Sequence, residues 1–180
     1  MSARDNQAAR EEKLAGGLRV AELVKVIRFD AQTMTIDAQP LVKGNVDGNA
    51  VPQPQLTGVP VASLCMGDFV IRPWYKKGDV GMIVICDKDI STALDGEVAE
   101  PDTARNHDIS DSIFIGGIAK GGNAPSGLPA NALVLAAGST YIAIKPDGVE
   151  VSGTLTVNGI NMGAHTHNAP ADGGTTGGPQ

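Results

Sequence analysis

The first half of the chain alternates apolar and polar positions in short runs, each stopped by glycine, proline or aspartate. Residues 18–30, LRVAELVKVIRFD, read as a strand, with residues 32–44, QTMTIDAQPLVKG, as its partner across the turn DAQ. NVDGNAVPQPQ (45–55) is a polar, proline-containing loop. LTGVPVASLC (56–65), GDFVIRPWY (67–75) and GMIVICDKD (81–89) follow, the last two separated by the turn KKGD. About five strands in about 75 residues is the spacing of a small closed β-barrel. Their order suggests an OB-like barrel, although periodicity alone does not separate this from an SH3-like barrel or a small sandwich.

The pattern then breaks. ISTALDG (90–96) suits a helical turn, HDISDSIFIGGI (107–118) a short helix capped by Asp108 or Ser110, and GGNAPSGLPA (121–130) a hinge. From residue 131 the alternation returns in NALVLAAGSTYIAIKPDGVEVSGTLTVNGI (131–160), with Ile142 and Ile144 on one face and a tight turn at KPDG. The expected organisation is an arm or short helix over 1–18, an OB-fold domain over 19–90, a linker with a short helix over 91–130, and a β-rich end over 131–180. The side chains of that end are small or β-branched. They offer too little apolar bulk for a self-sufficient domain, so a partner surface is expected, most simply another copy of the chain.

Charge sharpens the division. Residues 121–180 carry only four of the 34 formal charges, Lys145, Asp147, Glu150 and Asp172, together with 12 of the 23 glycines. The net charge of −6 excludes a nonspecific nucleic-acid binder and electrostatic docking on anionic lipid, both of which need a basic footprint. Aromatic residues are only 3%, so the core is expected to be aliphatic. The N-terminal residues MSARDNQAAREEK lack an apolar stretch, and no run approaches the length of a membrane span, so the chain is expected to be made in a cytoplasm and not to leave it unaided. Cys65 and Cys86 lie in β-like apolar runs and read as reduced, buried thiols.

Two of the three histidines, His165 and His167, stand one residue apart near the end, in GAHTHNAPADGGTTGGPQ (163–180). On an extended strand they project to one side, with Thr166 facing away. Two imidazoles do not complete a metal site, and no other ligand cluster stands nearby. A threefold trimer brings six imidazoles to its axis. Zinc prefers four ligands in structural sites. Six neutral nitrogens suit iron(II), nickel or cobalt, and availability favours iron. Metal bonds at that place would hold three chain ends together where the taper leaves no room for a core. His107, in RNHDIS, stands apart and reads as a cap or linker contact.

These residues resemble the central spike family of contractile phage tails and R-type pyocins, the baseplate-assembly-protein-V-like class. VPVASLCMGDFVIRPWYKKGDVGMIVICDKDIS (59–91) is similar to the N-terminal OB-fold domain of such spikes, NHDISDSIFIGG (106–117) to the segment after the barrel, and the β-rich end with HTH (165–167) to their iron-bound apex. Asn168-Ala169-Pro170 stands where the family often has glycine after HTH. The resemblance implies a homotrimer whose OB domains form a collar on the baseplate hub or tube end. It implies C-terminal strands intertwined into a trimeric β-helix or β-prism with a pointed apex, holding one iron per trimer through His165 and His167. The implied role is mechanical, piercing the bacterial outer membrane on sheath contraction, with assembly in the host cytoplasm and residence at the virion or tailocin baseplate tip.

Rival readings fit the residues less well. A metal-dependent hydrolase needs a third protein ligand and a supporting acid, and none accompanies HTH. An OB-fold nucleic-acid binder would want basic grooves and stacking aromatics, whereas Trp74 and Tyr75 have only Lys76 and Lys77 beside them in an acidic chain. PWYKK reads better as an exposed loop contacting a neighbouring subunit or the hub. A trimeric tail fibre or adhesin is the alternative. No catalytic constellation is expected.

Overall fold

The computed structural model describes residues 18–119 and 125–166. The expected arm over 1–18 lies outside these residues except for Leu18. The chain divides into two compact units, Met1–Gly122 and Asn123–Gln180. Both are β-structured in their described residues, where the one helical element is the 3-10 turn Ala93–Asp95 within the expected helical stretch ISTALDG.

The first unit contains β1 (Ala21–Asp30), β2 (Thr35–Pro40), β3 (Gly44–Val46), β4 (Asn49–Val51), β5 (Leu56–Pro60), β6 (Leu64–Met66), β7 (Phe69–Ile71), β8 (Val80–Ile85) and β9 (Ser112–Ile118). Five of them form one antiparallel sheet in the order β5-β2-β1-β8-β9, and β3–β4 and β6–β7 are separate hairpins. Irregular register near Val26, Ile36 and Val80 bends the ladder. The sheet therefore curls into a half-barrel. Its two edges touch at one isolated parallel bridge, Val61 to Phe114, where the Ala62 N–H donates to the Phe114 carbonyl at 2.9 Å.

Alternation decides what lies inside. Val24 and Val26 on β1, Ile36 and Ala38 on β2, and Ile83 and Ile85 on β8 are two residues apart and buried. Val59, Val61 and Phe114 complete the core. Phe29, Tyr75 and Phe114 add an edge-to-face stack, with ring centroids 5.7 and 5.2 Å apart. The strands β8 and β9 pair Gly81 with Gly116 at this point. A Cβ on Gly81 would stand 2.4 Å from the Phe114 ring, and one on Gly116 would stand 2.2 Å from Tyr75. Two opposed glycines thus make the seat for the aromatic stack.

Two expectations are corrected. The segment 107–118 does not form a helix. Asp108 does make a cap-like turn, accepting the Ser110 N–H at 2.9 Å, and the Asp111 N–H bonds the Asp108 carbonyl at 3.0 Å. The run Ser112-Ile113-Phe114-Ile115 then alternates inward and outward and enters the ladder as β9, because β-branched and aromatic side chains fit a pleated, half-buried surface. The sheet consequently extends beyond residue 90, the expected end of the barrel. The cysteines are not both buried: Cys65 is exposed on β6 and Cys86 is half-buried, its thiol pKa raised by burial.

The second unit contains β10 (Leu133–Ala137), β11 (Thr140–Lys145), β12 (Gly148–Ser152), β13 (Thr156–Val157) and β14 (Ile160–Asn161). Within one chain β10-β11-β12 is an antiparallel meander and β13–β14 a short hairpin. Asn158 and Gly159 both take positive φ, 49° and 81°, as a two-residue hairpin turn of the primed kind requires.

Candidate functional site

His165 follows a turn over 162–164 and is not part of a strand. The local chain is tied by short bonds. The Met162 N–H donates to the Leu155 carbonyl at 2.9 Å, and the Gly163 N–H to the Asn161 side-chain oxygen at 3.0 Å. The His165 Nδ1 lies 2.9 Å from the Met162 carbonyl oxygen. A carbonyl only accepts, so in this contact Nδ1 is the donor. His167 lies outside the described residues. Among the described residues no group of three or more His, Cys, Asp or Glu side chains stands close enough to hold a metal ion.

Before this turn, the β10–β12 sheet has two unlike faces. Register aligns Leu133 with Ile144 and Val149, and Leu135 with Ile142 and Val151. All six are exposed within one chain and share one face. The other face holds Val134, buried Ala143 and Glu150 in one row, with Tyr141 and Lys145 on either side. The Tyr141 hydroxyl donates to Glu150 Oε1 at 2.7 Å, and Lys145 pairs with the other oxygen. Lys145 and Tyr141 together hold the Glu150 carboxyl below the usual range.

Two features of the first unit escaped the sequence reading. One is a clamp that orders the excursion from β8 to β9. Arg105 grips Asp111 through Nε at 3.0 Å and Nη2 at 3.1 Å, and also reaches Asp89 at 3.1 Å. Both carboxylates are buried, with side chains only 1% and 4% exposed. Ser91 bonds Asp89 through its hydroxyl and its N–H, and the Thr103 hydroxyl donates to Asp89 at 2.6 Å. These bonds, Ser91 first, hold the Asp89 carboxyl well below the usual carboxylate range. Charged residues gathered at the ends of two core strands were the available signal. His107 belongs to this region, as a linker contact: its N–H bonds the Asp87 carbonyl at 3.4 Å and its Nδ1 lies 3.6 Å from the Asp87 carboxylate.

The other is the β6–β7 hairpin, whose Leu64, Met66, Phe69 and Ile71 are all exposed, followed by Trp74 at 73% exposure. PWYKK is divided in the structure. Tyr75 turns into the aromatic stack, whereas Trp74 faces outward.

A family model described as phage protein Gp138 N-terminal domain matches residues 24–117, more than half of the chain. The match runs from within β1 to within β9 and so takes in most of every strand of the five-stranded sheet. No curated protein matches the chain.

Proposed function

The chain belongs to the Gp138 N-terminal-domain family of phage proteins, and from this premise we propose that it is a baseplate or tail component working as a homotrimeric, membrane-piercing central spike. The observation that carries this proposal is the bare apolar face of β10–β12. Six aliphatic side chains exposed on a three-stranded sheet demand a cover. Three copies meeting on these faces would cover one another, and further winding would make the intertwined β-helix. The strands shorten from six residues in β11 to two in β13 and β14, as a narrowing shaft would require.

The first unit acts as a collar in this scheme. Its strand order, with Val61 just after β5 bridging Phe114 of β9 in parallel, supports reading it as an OB barrel. It would sit on the baseplate hub or tube end. At the other end, His165 and His167 of three chains would supply six imidazoles to one iron. The Nδ1 contact with the Met162 carbonyl would orient the His165 ring, and Nε2 would then be its ligating nitrogen. The function is mechanical and needs no catalytic group. Backbone bonds shared between chains resist bending, and the metal pins ends that have no core. Lys145 and Glu150 pair with each other, so the unit presents little net charge to a bilayer, where charge is costly. Assembly would take place in the host cytoplasm, and residence in the virion.

The test is native mass and metal content of full-length protein lacking a histidine tag. We expect about 55 kDa, three times the 18.4 kDa chain, and about one iron per three chains, lost in His165→Ala/His167→Ala. A monomer overturns the spike. A trimer without metal overturns the iron site and leaves a trimeric fibre or adhesin.

A further inference from the structure

We propose that the β6–β7 hairpin of one copy docks on the acidic loop 93–102 of a neighbouring copy, so that the collar units are joined head to tail by a contact of their own. The proposal rests on the trimer above and adds the surface that joins its first units.

The hairpin is built to be covered. Leu64 opposes Ile71 and Met66 opposes Phe69, so all four share one face. A cleft lined by Ala62, Leu64, Ile71, Tyr75 and Ile115 continues that face onto the barrel wall. Aromatic residues, methionine and arginine, all present between residues 64 and 77, are enriched where proteins meet. That stretch holds Arg72, Lys76 and Lys77 against Asp68, three cations to one anion, net +2.

The complement lies in the same unit. Loop 93–102 carries Asp95, Glu97, Glu100 and Asp102 with no cation, net −4. Amid these carboxylates, Val98 is fully exposed and Leu94 largely so. The loop itself is ordered from behind, since Arg105 anchors both its flanks through Asp89 and Asp111. Each patch therefore has apolar side chains without cover and charge of the sign that the other lacks.

Exposed ion pairs are worth little alone. The driving force would come from Leu94 and Val98 against the Phe69 and Trp74 surface, while the charges orient the encounter and set its register. The signs also fix the arrangement. Two hairpins or two loops brought together would repel, so the contact joins unlike patches, and three copies in a ring use each patch once. A hub protein on the hairpin would leave the acidic loop unmatched, which is why a second copy is the occupant favoured.

The experiment is zero-length carbodiimide cross-linking of the full-length protein, with native mass measured on the same sample. The expected result is covalent dimers and trimers on a denaturing gel, in which Lys76 or Lys77 is joined to Glu97, Glu100 or Asp102. Lys76→Glu/Lys77→Glu should lower these products at least about tenfold, and adding Glu97→Lys/Glu100→Lys should restore them. A trimer of intact mass lacking these links overturns the docking alone and leaves the hairpin for another partner. A monomer overturns the trimer and the docking together.

Discussion

Gly116→Ala tests the aromatic seat with a single methyl group. The added Cβ would stand 2.2 Å from both Cε1 and Oη of Tyr75, whereas carbon atoms in contact keep roughly 3.5–4.0 Å. The ring must therefore move by more than an ångström, or β9 must shift. Neither is easy. Tyr75 is edge-on to Phe29 and Phe114, so its ring is held from two sides. Overpacking of this kind costs about 1–3 kcal/mol. Loosening two edge-to-face contacts adds about 0.5–1.5 kcal/mol each at full loss. Against this, alanine in a strand regains about 0.5–1 kcal/mol of backbone entropy. The balance is a destabilisation of about 2–3 kcal/mol. At roughly 4–8 °C per kcal/mol for a unit of about 100 residues, the first unit should melt on the order of 10–20 °C lower. Calorimetry of the full chain at one fixed concentration measures this. The decisive comparison is the same substitution in a Tyr75→Ala background. There the space is empty, and Gly116→Ala should be neutral or slightly stabilising. Equal costs in the two backgrounds, additive within about 0.5 kcal/mol, would refute the seat.

The remaining predictions concern the clamp and the β10–β12 sheet. The lowered Asp89 pKa means that its stabilisation is complete above the unfolded-state value near ~3.9 and is lost as pH falls below it. Asp89→Asn should therefore flatten the acid limb of a stability-versus-pH curve below about pH 4, and an unchanged limb would count against the assignment. Arg105→Ala takes the shared cation from two carboxylates and should destabilise the first unit at pH 7, seen as lower melting and faster proteolysis within 86–111; unchanged melting would refute the clamp. Ile144→Asp places a charge in the bare face of β10–β12 and should convert the proposed trimer to monomer in light scattering; an unaffected trimer would mean that this face is not the one covered.

Much of the architecture could be read from alternation alone. The β1–β2 pair, the strand β8 and the meander from residue 133 onward follow from period-two runs with turn residues between them. What alternation could not supply was β9. Asp108 and Ser110 do form the local turn that a helix start would use, and only pairing with β8, about 30 residues earlier, decides that the following residues extend. Tertiary context overrode a local signal there. The same distance hid the clamp, because Asp89, Arg105 and Asp111 are ordinary surface residue types until the chain ends of β8 and β9 bring them together. Cys65 was misjudged because a short apolar run can be a core strand or an exposed hairpin, and composition is identical in the two cases. The histidine pair was visible as a motif. The Met162 carbonyl that orients His165 was not, since it depends on the turn at 162–164.

The five-strand ladder is complete without the β3–β4 hairpin, the β6–β7 hairpin or the 86–111 excursion. None of the three contributes a strand to it. The two hairpins, and the 93–102 loop of the excursion outside its Arg105 clamp, can lengthen, shorten or change sequence while the buried valines and isoleucines keep their neighbours, because surface insertions add little loop entropy. The first unit is in this sense a socket plate with three interchangeable fittings. Transplanting a fitting between related chains should carry its attachment preference with it and leave the plate intact, which would let such a protein be refitted to a different tail without redesign of its core.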